Sequence, residues 1–225
     1  MEVTERPGSV LASRPLHFVV MADCSGSMAS DGKIQALNTA LRETIPHLVD
    51  VAALNPHAEV LVRAIAFSAG ARWHIEEPTP VEALVWKDLT AGGYTDLGAA
   101  LHLLASQLSP SNMQSRALPP AVVLVSDGMP TDDWCAGLEK LMGEPWGARA
   151  VRMAVGIGRD ADLEVLQAFI GSSELAPLTA NNPEQLVRLL RWASTHAGRV
   201  ASTLTAAGAV EPNDLIGSSA SEIVW

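Results

Sequence analysis

The sequence contains little cysteine and no long apolar segment. Its two cysteines, Cys24 and Cys135, form neither a CxxC pair nor a dense disulfide framework, which is typical of proteins that fold in a reducing compartment. No apolar run approaches the roughly 18 residues that a membrane helix needs. The N-terminus lacks the basic segment and apolar core of a secretion signal. These absences predict a cytoplasmic protein.

Positive charge is scarce as well. The 225 residues include 15 Lys and Arg against 25 Asp and Glu, which gives a formal net charge of −10. An acidic surface repels both the phosphates of nucleic acids and the headgroups of anionic membranes. We therefore expect neither nucleic acid nor membrane as a partner, and a metal ion or a cationic partner is the better candidate.

Common enzyme signatures are missing too. A cysteine-phosphatase loop would need an arginine six positions after Cys24, and Ser30 occupies that position. The sequence contains no GxxxxGK phosphate loop, no GxSxG nucleophile elbow and no HExxH zinc motif. We therefore expect a protein that is not an enzyme.

What the sequence does contain is a regular alternation of strand-like apolar runs and helical periodicity. A chain of 225 residues, 48% of them hydrophobic, is long enough for one well-packed domain. Strands are predicted at 16–22, 58–67, 71–75, 121–125, 150–157 and 176–178. Helices are predicted at 33–52, 97–108, 161–170 and 183–201, with a further helix after the loop that contains Asp127. This order predicts a doubly wound α/β fold, with a mostly parallel central sheet, helices on both faces and one short antiparallel edge strand.

Less regular segments set the predicted boundaries of the domain. A flexible lead-in is expected at 1–14, the domain at 15–203 and a C-terminal tail at 204–225. Pro46 falls inside the first predicted helix and is expected to kink or divide it. The segment 76–90 contains two prolines and shows no clear period, so it is predicted to be irregular.

Oxygen-bearing side chains follow two of the predicted strands and precede one helix. Asp23, Ser25 and Ser27 occupy alternate positions after the first strand, so an extended loop would point one carboxylate and two hydroxyls to a common site. Thr95 precedes the second predicted helix, and Asp127 follows the fourth predicted strand. Because ligands bind at the carboxyl ends of the strands in open α/β sheets, these residues are expected to meet at one edge.

An all-oxygen set of this kind suits Mg²⁺ or Mn²⁺, with Ca²⁺ less favoured, and matches zinc poorly because zinc prefers nitrogen and sulfur ligands. The alternative is helix capping, which is the preferred interpretation of Thr95 taken alone. The nearby acids Asp96, Asp132 and Asp133 are interpreted as helix-start residues favoured by the helix dipole. Cys24 should point away from the cation as a small buried hydrophobe.

Three segments resemble the metal-ion-dependent adhesion site of von Willebrand factor type A domains: Asp23-Cys24-Ser25-Gly26-Ser27, Gly93-Tyr94-Thr95-Asp96-Leu97-Gly98 and Ser126-Asp127-Gly128. They occur in the order of that family, and the resemblance covers about residues 14–200. Other segments resemble the tellurium-resistance-associated, TerY-like branch of the family: Asn55-Pro56-His57, Pro130-Thr131-Asp132-Asp133-Trp134 and Leu189-Leu190-Arg191-Trp192.

The resemblance implies a role for each candidate ligand. Ser25 and Ser27 would bind the cation through their hydroxyls, Asp23 and Asp127 directly or through water, and Thr95 would join or leave the coordination sphere as the domain changes state. One coordination position would be left for a Glu or Asp of a protein partner. The resemblance thus implies a metal-dependent adaptor in a bacterial stress-response, tellurium-resistance or defence system, where such domains accompany a protein kinase and a metal-dependent protein phosphatase.

Two other functions remain open at this point. The chain could be a Mg²⁺-dependent phosphohydrolase that uses Asp23 or Asp127, or a regulatory subunit of a ring-shaped ATPase. The first predicts metal-dependent turnover by the isolated chain, and the second predicts that a captured partner hydrolyses ATP faster in its presence.

Overall fold

A computed structural model describes residues 13–54 and 58–202, with side chains described as far as 196. The strands are β1 Arg14–Asp23, β2 Ala58–Ser68, β3 Gly70–Pro80, β4 Ala121–Ser126, β5 Val151–Ile157 and β6 Leu178–Ala180. The helices are α1 Lys33–Ala53, α2 Leu97–Gln107, α3 Trp134–Gly143, α4 Pro145–Arg149, α5 Leu163–Ile170 and α6 Pro183–Ser202. The predicted tail at 204–225 and nearly all of the predicted lead-in lie outside the described residues.

The strands form one six-stranded sheet in the order β3-β2-β1-β4-β5-β6. β1 lies at the centre and pairs in parallel with β2 on one side and β4 on the other. Among the described strands, only the edge strand β3 runs antiparallel to its neighbour, β2. The predicted fold class, a doubly wound and mostly parallel sheet with one antiparallel edge strand, is therefore confirmed.

Helices cover both faces of the sheet. Successive side chains of the central strands point to opposite faces, so both faces present apolar residues to a layer of helices. On one face, α1 and α6 pack against strand residues such as Val20 and Val123. On the other, α2, α3 and α5 pack against residues such as Met21 and Leu124. All six residues of β4 are buried. None of the described helices is both long enough and apolar enough to cross a bilayer.

The structure departs from the predicted elements at several places, which include the unpredicted short helix α4. The segment 76–80, predicted as irregular, continues β3; Pro78 and Pro80 are tolerated there because β3 is an edge strand, on which some N–H groups need no partner. α1 is one continuous helix across Pro46, held by buried Leu41 and Leu48 on either side. β6 begins at Leu178, two residues later than predicted.

The order of the strands places a crevice above the centre of the sheet. The chain passes from β1 outward to β2 on one side and, after α2, returns to β4 on the other side of β1. The carboxyl ends of β1 and β4 therefore flank the point at which the strand order reverses. Open α/β sheets bind their ligands at this position.

Candidate metal centre

The residues of the candidate site are positioned by the ends of β1 and β4. Asp23 is the last residue of β1, and Asp127 directly follows Ser126, the last residue of β4. Ala22 pairs with Val125 in the sheet, so the two strand ends lie side by side. Both carboxylates are buried, with 0% of Asp23 and 2% of Asp127 exposed.

A chain of hydrogen bonds joins the two serines to the second carboxylate. Ser25 Oγ and Ser27 Oγ are 2.9 Å apart, and Ser27 Oγ donates to Asp127 Oδ1 at 2.7 Å. Ser25 is buried, whereas Ser27 is exposed at the rim of the crevice. Three of the predicted ligands therefore meet within hydrogen-bonding distance, and the site opens to solvent on the side of Ser27.

Asp23 is held in a fixed position by donors on both of its carboxylate oxygens. Ser25 N donates to Oδ1 at 2.8 Å, and Ser126 Oγ donates to Oδ2 at 2.5 Å. Burial raises the pKa of the Asp23 carboxyl, the hydrogen bonds from Ser126 and Ser25 oppose the rise, and the negative charge of Asp127 adds to it. A bound cation would favour the ionised carboxylate that burial alone disfavours.

Thr95 reaches the site on the loop that precedes α2. Its N–H donates to Thr131 Oγ1 at 2.9 Å, and Thr131 N donates to Thr95 O at 2.9 Å, which ties this loop to the one that follows Asp127. A Cβ placed on Gly128 would lie 3.6 Å from Ser27 Oγ and 4.0 Å from Thr95 Oγ1. The two hydroxyls therefore border the same point of the backbone, and the structure brings all five predicted residues to one crevice.

The neighbouring acids hold loops together instead of facing the crevice. The carboxylate of Asp96 accepts from Gly70 N at 2.7 Å and from Thr131 Oγ1 at 2.9 Å. Asp132 accepts from the first N–H groups of α2, and Asp133 caps α3 by accepting from Ala136 N at 3.0 Å. Asp132 and Asp133 thus lie at helix starts, as predicted, whereas the side chain of Asp96 bonds neighbouring loops and does not cap α2.

Lys33 is a member of the site that the sequence analysis missed. It is the first residue of α1, and its Nζ lies 2.7 Å from Asp127 Oδ2. Its side chain is 10% exposed, and that of Asp127 is fully buried. A cation at the N-terminus of a helix opposes the helix dipole, and this unfavourable placement was the only signal in the sequence that pointed to a nearby negative charge.

The donor atoms fit a hard divalent cation. Hydroxyl and carboxylate oxygens are the ligands that Mg²⁺, Mn²⁺ and Ca²⁺ prefer. Within residues 13–54 and 58–202, no group of three or more His, Cys, Asp or Glu side chains could hold a metal ion, so a cation here would depend on the hydroxyls. Cys24 lies in the hydrophobic core, as predicted, and burial together with the charge of Asp23 raises the pKa of its thiol to about 12.

Comparison with known proteins identifies the fold. No protein-family model and no curated protein matches the chain. Among solved structures, von Willebrand factor type A from Catenulispora acidiphila is 20% identical with a TM-score of 0.62, and the match covers 83% of this chain and 43% of that one. The ArnB paralog VWA2 from Sulfolobus acidocaldarius is 20% identical with a TM-score of 0.59, covering 80% and 45%. Proximal thread matrix protein 1 from the mussel byssus, with a zinc-occupied MIDAS motif, is 17% identical with a TM-score of 0.61, covering 81% and 48%.

The chain therefore has the fold of von Willebrand factor type A domains. MIDAS is the metal-ion-dependent adhesion site, and in the mussel protein it holds a divalent metal. The chain spans less than half the length of each of these three solved chains. At this level of identity the likeness concerns the fold, and the function must be argued from the site.

Proposed function

We propose that this chain is a divalent-metal-dependent protein-binding module, whose metal completes its coordination with a Glu or Asp side chain of a partner. The observation that carries this proposal is the line of oxygen atoms from Ser25 through Ser27 to Asp127, at the crevice of a von Willebrand factor A fold. The line ends at an exposed hydroxyl, so a partner's side chain has access to it.

The proposed metal is Mg²⁺ or Mn²⁺, held by Ser25, Ser27, Thr95, Asp23 and Asp127. When bound, the ion supplies a positively charged position that a carboxylate can occupy. The mussel protein carries zinc in its motif. The present site offers only oxygen donors from these side chains, so we expect it to prefer Mg²⁺ or Mn²⁺ over zinc, with Ca²⁺ less favoured.

The surface beside the crevice supports binding. Tyr94, next to Thr95, is 67% exposed, and Met129, two residues after Asp127, is 68% exposed. Large apolar side chains at the rim of a polar site provide contact area that a partner can bury around the charged contact, and aromatic residues and Met are enriched in interfaces. We infer that these two side chains form part of the docking surface.

We further propose that the chain is not an enzyme. Both oxygens of Asp23 accept hydrogen bonds, and both oxygens of Asp127 have donors, Ser27 and Lys33. These contacts hold both carboxylates in place, which supports a binding role. The phosphohydrolase alternative predicts metal-dependent hydrolysis that is lost in Asp23→Ala, and turnover by the purified chain would support it.

The cellular setting is proposed from the sequence resemblance. Segments similar to the TerY-like branch support a cytoplasmic role in a bacterial stress-response, tellurium-resistance or defence assembly, with a protein kinase and a metal-dependent protein phosphatase as partners. The alternative role, regulation of a ring-shaped ATPase, would be supported if the captured partner hydrolyses ATP faster in the presence of this chain.

The experiment that tests the proposal compares partner capture from lysate in Mg²⁺ and in EDTA. The bait proteins are the wild type, Asp23→Ala, and the double variant Ser25→Ala with Ser27→Ala. The matched control is Ser109→Ala with Ser111→Ala, which removes a second pair of bonded serine hydroxyls, 3.0 Å apart on an exposed loop. We expect a partner with the wild type and the control in Mg²⁺ only.

Capture that is equal in EDTA and in all variants would contradict the proposal. It would place binding at another surface, such as the groove of about 550 Å³ beside α1 and α6 that includes His47, Arg188 and Trp192.

A further inference from the structure

We propose that Lys33 is a built-in cation of the metal centre, which keeps Asp127 in place without metal, weakens the binding of divalent ions and leaves the loaded site with a net positive charge. This inference rests on the proposed function, since it concerns the same site. In this role, Lys33 favours a partner with an anionic group and helps the domain to remain folded when metal is scarce.

The position of Lys33 is defined by contacts on several sides. Its Nζ donates to Asp127 Oδ2 at 2.7 Å, while Ser27 donates to the other oxygen, Oδ1. A Cβ placed on Gly158, in the loop after β5, would lie 3.5 Å from Lys33 Cε and 3.6 Å from Nζ. The ammonium group therefore lies between the Asp127 carboxylate and this stretch of backbone, and only 10% of the side chain is exposed.

This placement is unfavourable for a lysine unless a negative charge compensates it. A cation in the first turn of a helix opposes the helix dipole, and a buried ammonium loses its hydration. Asp127 forms an ion pair with Lys33, and the side chain of Asp127 is fully buried. The two charges thus compensate each other inside the site, and either one alone would be costly.

Counting formal charges shows the effect on the ligand. With both carboxylates ionised, Asp23 and Asp127 contribute −2 and Lys33 contributes +1, so the site without metal carries −1. A divalent cation brings it to +1, and one carboxylate from a partner brings it to zero. Without Lys33, the metal alone would neutralise the site and the partner's carboxylate would leave it at −1. Lys33 therefore favours a partner that supplies one negative charge.

The same count predicts weaker metal binding. Lys33 and the cation would both lie against the carboxylate of Asp127, and like charges at such separations repel each other appreciably inside a protein. The cost falls on metal affinity, while the benefit is that the charge of Asp127 is already compensated in the absence of metal.

The test is isothermal titration of Mn²⁺ into the wild type and Lys33→Gln, which keeps a hydrogen-bond donor and removes the charge. The control is Lys140→Gln, which breaks an exposed ion pair of 2.7 Å with Glu144. We expect Lys33→Gln to bind Mn²⁺ about tenfold or more tightly than the wild type. Its melting temperature should be several degrees lower than that of the wild type in EDTA and recover in Mn²⁺, whereas Lys140→Gln should behave as the wild type.

Two further measurements separate charge from shape. Lys33→Arg keeps the charge and should bind Mn²⁺ like the wild type, so tighter binding in this variant would overturn the inference. Replacing chloride by acetate should strengthen Mn²⁺ binding more in the wild type than in Lys33→Gln, because acetate supplies the negative charge that only the wild-type site lacks. An equal effect of acetate on both would also overturn it.

The outcomes distinguish this inference from the proposed function. Metal binding that is equal or weaker in Lys33→Gln overturns the role of Lys33 and leaves the metal-dependent module standing. Absence of Mn²⁺ binding in both the wild type and Lys33→Gln overturns both. If Lys33→Gln folds only in Mn²⁺, the result supports the inference, because the ion then supplies the charge that the lysine provided.

Discussion

At the scale of single residues, the buried pair of Lys33 and Asp127 should be the most sensitive part of the site. Asp127→Asn leaves a buried ammonium without its counter-charge, which is expected to cost about 3–5 kcal/mol of unfolding free energy. Urea denaturation in EDTA measures this loss without a contribution from metal. Asp88→Asn is the control, because Asp88 forms an exposed 2.6 Å ion pair with Arg42 and should cost less than about 1 kcal/mol. Equal losses in the two variants would contradict this assignment.

His17 predicts how stability depends on pH. Its side chain is buried, and its Nε2 has no hydrogen-bond partner among the described residues. Burial, and to a lesser extent the charge of Arg63, lowers the pKa of His17. The native state therefore holds a neutral imidazole, whereas the unfolded chain takes up a proton below about pH 6.5. Because the unfolded state then binds more protons, stability should be highest above that pH and fall progressively as the solution is acidified.

His17→Phe tests this dependence. Phenylalanine does not titrate, so the difference in unfolding free energy between the variant and the wild type should shift in favour of the variant as pH falls through about 6.5. Urea denaturation over a series of buffers gives both curves. His74 also has a pKa lowered by burial and contributes in the same direction, but it is present in both proteins and cancels. Parallel curves would refute the role of His17.

The candidate ligands could be predicted from sequence because each carries a local pattern. Asp23, Ser25 and Ser27 alternate directly after an apolar strand, and Asp127 follows another. The structure brings them together, and their binding of metal stays a prediction. Lys33 was missed, and Ser126 was quoted within the third segment without a role. Their partners lie 94 and 103 positions away, and a single sequence does not show which residues pair over such separations.

At the scale of elements, α2 and α3 cross so closely that two glycines are required. A Cβ on Gly137 of α3 would lie 2.8 Å from Gly98 O and 3.0 Å from Leu101 Cβ. Gly137→Ala gains about 1 kcal/mol of helix propensity but loses about 1–3 kcal/mol to overpacking, so a net loss is expected. Gly143→Ala at the end of the same helix is the control, because no atom of the described residues lies within 4 Å of its added Cβ. Thermal denaturation should show a lower midpoint for Gly137→Ala only.

The elements could be predicted where periodicity is strong. The prediction failed where tertiary contacts determine the secondary structure. The buried strands β1 and β4 and the helix α6 lie close to their predicted bounds. The second half of β3 was missed because its prolines argue against a strand. In the structure this half pairs with β2, beyond a register shift after Val62. Pro46 was expected to kink or divide α1; the helix is not divided, because its packing on α6 and the sheet outweighs the missing N–H.

At the scale of the whole molecule, β4 separates two hydrophobic clusters and is the strand least able to tolerate a charge. Leu124 is 0% exposed at the centre of the sheet. Leu124→Asp buries an unpaired carboxylate, which costs several kcal/mol against a typical total stability of about 5–15 kcal/mol. Circular dichroism should show loss of cooperative unfolding. A soluble variant with a cooperative transition would show that the strand is less central than the structure indicates.

The residues of the candidate site come from distant parts of the chain, and this has a consequence for synthesis. Ser27 and Asp127, which share a hydrogen bond, are 100 positions apart. β4 and Asp127 must therefore emerge from the ribosome before the candidate site can form. A chain that stops earlier has no complete set of candidate ligands. Domains commonly begin folding from the N-terminus while synthesis continues. An incomplete chain would therefore lack part of the proposed metal site.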